Sequence, residues 1–156
     1  MVLIAFLIGV PGLMMPNPTA VGQSVDALKA NTVRGILRVT RHPFLWGVAM
    51  WAAFHLGANG DQASVILFGT LLVLAVSGTF SIDAKRKRKL GEQWSEFANR
   101  TSNIPFGAIL AGRNTLKLGE YFDWRFFVAL FLFAAVLFGH ARFLGASPFP
   151  GGWIPF

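Results

Sequence analysis

Long apolar runs separated by short polar or basic segments dominate the pattern along this chain. Met1–Met15 is apolar but contains Pro11 and Gly12, and it falls short of the roughly 20 residues that a membrane-crossing helix needs. It lacks the basic start and small-residue cleavage site of a signal peptide, so it reads as the tail of a longer helix with further spans expected upstream. Pro16-Asn17-Pro18 breaks that helix, and residues 16–31 read as a polar loop or short surface helix. Phe44–Gly57 is the first clear span, with Pro43 at its start, where a missing N–H matters least. Ala58-Asn59-Gly60-Asp61 is a tight turn, and Ser64–Phe80 returns as an uncharged Leu/Val-rich span. Trp124–Leu144 is the last full span, with Trp124 and Arg125 as its anchors. The expected fold is a single all-α domain over residues 1–156, a polytopic transmembrane helical bundle with an interfacial basic amphipathic helix.

The remaining segments are too short or too polar to cross. Asn31 or Thr32 can cap a helix carrying Arg34, Arg38 and Arg41, a basic stripe expected to face lipid headgroups. Leu90, Trp94 and Phe97 recur at helical spacing among Glu92, Gln93, Glu96 and Arg100, which predicts an amphipathic helix lying in the interface. Ile104–Ala111 reads as re-entrant or interfacial, and the Pro- and Gly-rich segment from Pro148 to Trp153 as non-helical chain at the far interface. No internal repeat or separate soluble domain emerges.

Composition supports lipid as the main solvent. Of 156 residues, 54% are hydrophobic and 13% are charged, against about a quarter charged in water-soluble domains. The absence of cysteine excludes disulfides and thiolate metal or haem ligation. A net charge of +7 would suit nucleic acid, but its placement argues against that partner. The basic residues cluster before Pro43 and at Lys85–Lys89, flanking apolar runs as cytoplasmic loops do. No nucleic-acid motif accompanies them. Membrane lipid is the expected partner, with a lipophilic small molecule as a further one; the expected location is a bacterial inner membrane with the basic loops cytoplasmic.

An ionisable side chain inside an apolar span is costly and marks a candidate site. His42 and His55 are thirteen residues apart on one helix, or about 20 Å, and cannot share a small metal site. His140 comes sixteen residues after Trp124, about 24 Å deeper, so His55 and His140 should lie at similar depth on facing helices. Together they could ligate one iron, or one could bind while the other supports a propionate. Phe44, Val48, Trp51 and His55 form one helix face, an aromatic wall that suits a planar cofactor. The plainer alternative is a histidine that merely hydrogen-bonds a nearby carbonyl, on a stripe that merely packs.

Arg41-His42-Pro43-Phe44-Leu45-Trp46-Gly47, the segment from Trp51 to His55, and Arg100-Thr101-Ser102-Asn103-Ile104-Pro105-Phe106 with Gly112-Arg113 resemble the NnrU membrane family, which includes the plant and bacterial 15-cis-zeta-carotene isomerases. The resemblance runs from about Pro16 to the C-terminus. It implies haem b, with His55 in the place of a histidine ligand and Ala52 where the isomerases carry a cysteine. Their second histidine ligand lies in an N-terminal portion that this chain does not contain, leaving His140 as the candidate substitute. It also implies redox or cis–trans isomerase chemistry on a lipophilic, carotenoid-like substrate, or a part in nitrite and nitric oxide reduction.

A weaker likeness, through Arg41-His42-Pro43 with Gly47 and Gly91-Glu92 with Pro105-Phe106, is to membrane methyltransferases. It implies S-adenosylmethionine near Arg41 and His42, although the acidic pair of those enzymes is replaced here by Asp83 and basic residues. A non-enzymatic accessory subunit of denitrification is the third expectation.

Overall fold

The computed structural model describes residues 1–20 and 33–149. Among them, every regular element is helical. α1 spans Val2–Met14, α2 Pro43–Ala58, α3 Gln62–Leu90, α4 Glu92–Arg100, α5 Gly107–Leu110 and α6 Trp124–Leu144, with single 3₁₀ turns at Gly35–Arg38 and Leu118–Glu120. α3, with 29 residues, and α6, with 21, are long and apolar enough to cross a membrane. Their outer faces are apolar, with Ile66, Val73 and Leu74 on α3 and Phe127, Phe131 and Phe143 on α6 exposed.

Local signals explain the boundaries. Pro43 opens α2 in the first turn, where no intrahelical N–H is needed. Asp61 caps α3 by accepting from the Ser64 N–H at 2.9 Å. The returning helix does not end at Phe80 as expected but continues through the basic run to Leu90. Lysine and arginine are good helix formers, and cations near a helix C-terminus complement its dipole. α3 stops at Gly91, whose φ of 54° and ψ of −122° suit glycine far better than an L side chain.

α2 packs between α1 and α3, and α6 packs on α1. The α1–α2 contact is backbone on backbone. A Cβ on Gly47 would lie 2.6 Å from Gly9 Cα, and one on Gly12 would lie 2.6 Å from the Pro43 ring. Small residues permit such approach where no hydrophobic force separates helices from lipid. Phe6 and Phe133 join α1 to α6 edge-to-face at 5.8 Å. Pro11 has no N–H to donate to the Leu7 carbonyl one turn earlier, and the Tyr121 hydroxyl donates to that carbonyl instead. Burial pushes the Tyr121 hydroxyl up to about 12.

The polar end departs from expectation in three places. Arg34, Arg38 and Arg41 do not form a helical stripe toward headgroups: only Gly35–Arg38 is helical, as a 3₁₀ turn. Arg38 instead grips Glu120 through Nε at 2.8 Å and Nη2 at 2.9 Å, and Arg41 binds Asp83. An available carboxylate outcompetes solvent for a guanidinium fork when both are half-buried. α4 is amphipathic as predicted, but its apolar side chains Trp94 and Phe97 are buried against Val33, not in lipid. Ile104–Ala111 contributes only the short α5, entered through Phe106 in the left-handed region. The expectations for residues 21–32 and for the segment after Phe149 fall outside the described residues.

Glu120 also accepts from the Gly35 N–H at 2.9 Å. Arg38 beside it, helped by this N–H, lowers its carboxyl from the ordinary 4.5 to about 2. The sign follows from linkage: stability from this tie is complete above pH 4.5 and is lost as pH falls toward 2. Thermal unfolding of the detergent-solubilised protein should show Glu120→Gln less stable than wild type at pH 7, with the gap closing by pH 2. A gap that stays constant across that range would contradict the assignment.

Candidate functional site

Two clusters of ionisable side chains lie at opposite ends of α2. At its C-terminal end, His55 follows Trp51 on the face shared with Phe44 and Val48. Its ring centroid is 4.5 Å from that of Trp51, 5.0 Å from Phe68 on α3 and 6.5 Å from His140 on α6. The two imidazole planes are within 21° of parallel. His55 Nδ1 lies 2.8 Å from the Trp51 carbonyl, and His140 Nδ1 lies 2.6 Å from the Ala146 carbonyl. The chain places Ala146 there by reversing at Gly145, whose φ is 71°.

Because a carbonyl can only accept, each Nδ1 carries a proton, and in the neutral imidazole each Nε2 keeps its lone pair. The hydrogen bond to a carbonyl that the plainer expectation described is therefore present on both rings. It is also the outer contact that fixes the tautomer of metal-bound histidines. Among the described residues no cluster of three or more His, Cys, Asp or Glu could hold a bare metal ion. Two imidazoles with free Nε2 atoms instead match an iron that brings its own equatorial nitrogens, as haem does. By donor chemistry, His55 and His140 fit that group. Ala52 is fully buried and offers no ligand.

At the N-terminal end of α2, Arg41 and His42 converge on Asp83 of α3. Arg41 Nε lies 3.0 Å from both carboxylate oxygens and Nη2 2.5 Å from Oδ2, while His42 Nε2 is 2.7 Å from Oδ1. Asn103 Nδ2 donates to Oδ2 at 3.1 Å. The Asn103 carbonyl in turn accepts from Thr40 Oγ1 at 2.6 Å and from the Trp46 indole at 2.7 Å. His42 is 2% exposed, so its hydrogen bond to Asp83 is shielded from water. The guanidinium of Arg41 also sits 5.6 Å over the Trp94 ring. With Arg41 committed to Asp83, its fork is not turned outward toward a separate ligand.

His42 borders a cavity of about 300 Å³ whose other walls include Asn17, Thr19, Leu13, Phe44 and Ile82. Sequence reasoning singled out Arg41 and His42 but read Asp83 only as a departure from the methyltransferase pattern. The available signal was an acid within an apolar helix, which membrane energetics flags by itself.

The fold and these clusters define an all-helical, membrane-associated protein with ionisable groups held at two levels about 20 Å apart on one helix. The chain belongs to the NnrU family: it matches the family described as NnrU protein over residues 1–148. It is similar to the chloroplastic 15-cis-zeta-carotene isomerases of Arabidopsis thaliana and Zea mays, each 29% identical over 116 residues that cover 72% of this chain and 32% of the relative. The chain thus spans about a third of the length of these relatives. No solved structure matches it.

Proposed function

We propose that this protein acts in the membrane as a polytopic helical bundle that performs cis–trans isomerase-like chemistry on a lipophilic polyene, with haem b held by His55 and His140. The carrying observation is the pairing of the two imidazoles, centroids 6.5 Å apart, each with Nδ1 committed to a backbone carbonyl. The similarity to carotene isomerases supports the reaction class.

Haem iron held by neutral imidazole supplies a redox-active centre whose potential its surroundings tune. The chain's own residues do the rest. The Trp51 carbonyl holds the His55 ring in one tautomer and orientation, and Asn59 Nδ2 donates to the His55 backbone carbonyl at the end of α2. Trp51 and Phe68 pack against the half-buried imidazole. Phe143, exposed one turn beyond His140 on α6, offers an approach from lipid for a polyene. The basic run Lys85–Lys89 favours the cytoplasmic side of a bacterial inner membrane for the opposite end.

The test is absorption spectroscopy of the full chain purified in detergent and supplied with haem. A Soret band should appear, vanish in His55→Ala, weaken or shift in His140→Ala, and persist in His42→Ala. Under reducing conditions the haem-loaded protein should convert 15-cis-zeta-carotene, and His55→Ala should abolish conversion. A Soret band indifferent to His55→Ala refutes the ligand assignment; haem binding without conversion refutes the reaction.

A further inference from the structure

The His42 cluster at the other end of α2 takes no part in that proposal, and its construction exceeds what a structural tie needs. Asp83 accepts from His42 Nε2, so the proton is on Nε2 and, in the neutral ring, the Nδ1 lone pair is the acceptor. A carboxylate behind an imidazole orients the ring and strengthens its other nitrogen as a base. The same cluster contains a buried acceptor, Asn103 Oδ1, with no hydrogen-bond partner among the described residues.

The cavity beside His42 has a matching two-part character. Its polar lining among the described residues is Asn17, Thr19 and His42. Leu13 and Phe44 form a wall shared with a second cavity of about 230 Å³, which continues past Gly9, Gly47 and Val48 to Trp51 and is almost wholly apolar. A hydrogen-bonding pocket thus opens onto a hydrocarbon-lined groove along α1 and α2.

We propose that this is a second binding site, for a lipophilic alcohol: the hydroxyl donates to His42 Nδ1, and the apolar chain lies along the groove toward Trp51. The site is independent of the histidine pair at the far end of α2. The acceptor on His42 selects for a donor-bearing head over an ester or hydrocarbon.

The experiment titrates all-trans-retinol into the full chain in detergent and follows quenching of tryptophan emission, with retinyl acetate as the analogue that lacks the hydroxyl proton. Retinol should quench saturably and bind about tenfold more tightly than the acetate, the size expected when a buried acceptor loses its donor. His42→Ala should weaken retinol to the level of the acetate while leaving acetate binding unchanged. Leu13→Trp, which narrows the shared wall, should weaken both ligands; because Leu13 is 61% exposed, it tests the groove even where His42→Ala fails to fold. Equal affinity for retinol and its acetate overturns the hydroxyl assignment. Quenching that rises without saturation, as for partition into micelles, overturns the site.

Discussion

Leucine at position 47 should separate α1 from α2 and unfold the protein at temperatures where wild type is intact. A Cβ there would sit 2.6 Å from Gly9 Cα, 2.9 Å from the Ala5 carbonyl oxygen and 3.0 Å from Gly9 N. All three are backbone atoms of a packed helix, so no side chain can rotate away to make room. Overpacking in a close-packed interior typically costs about 1–3 kcal/mol, and a contact that moves an entire helix belongs at or above the top of that range. The displacement also opens the Phe6–Phe133 contact by which α1 holds α6. Circular dichroism during thermal unfolding in detergent measures the effect. Gly69→Ala provides the control: nothing lies within 4 Å of its Cβ position on α3, so alanine there should be neutral or stabilise by up to about 1 kcal/mol. Equal unfolding temperatures for Gly47→Leu and wild type would refute the backbone contact.

Asp83→Ala should be the most damaging single change at the polar end. It leaves the Arg41 guanidinium, the His42 Nε2–H and the Asn103 amide without their common acceptor, in a site where Arg41 and Asp83 side chains are 13% and 18% exposed. Removing one partner of a largely buried pair costs about 3–5 kcal/mol, mostly because the other charge is left uncompensated. The double variant Arg41→Met with Asp83→Leu removes both charges together and should recover most of that loss. A thermodynamic cycle on unfolding free energy separates the coupling from the individual effects. Should the double variant be as unstable as Asp83→Ala alone, the damage would come from packing and not from the abandoned charge.

Some of this architecture is legible residue by residue. Pro43 and the Asn59-Gly60-Asp61 turn delimit α2 because local backbone chemistry acts over a few residues and needs no tertiary partner. The spacing of His55 from the turn, and of His140 from Trp124, sets their depths because an α-helix advances a constant distance per residue. The end of α3 was not legible, since a basic run reads equally as a boundary loop or as the last turns of a long helix. The fate of Arg38 and Arg41 was also hidden. A stripe of arginines looks solvent-facing until Glu120 and Asp83, 82 and 42 residues away, are brought to it.

The amino-acid order alone determined that this is a helical, apolar chain, where its main helices begin, and that two of its histidines lie at one level, because those properties come from periodicity, composition and rise per residue. Tertiary packing decided which groups meet: that Gly9 and Gly47 touch, that Asp83 gathers Arg41, His42 and Asn103, and that a cavity opens beside the imidazole. Such contacts depend on how helices cross and how far their backbones approach, and hydrophobic periodicity fixes a helix's face but not its neighbour.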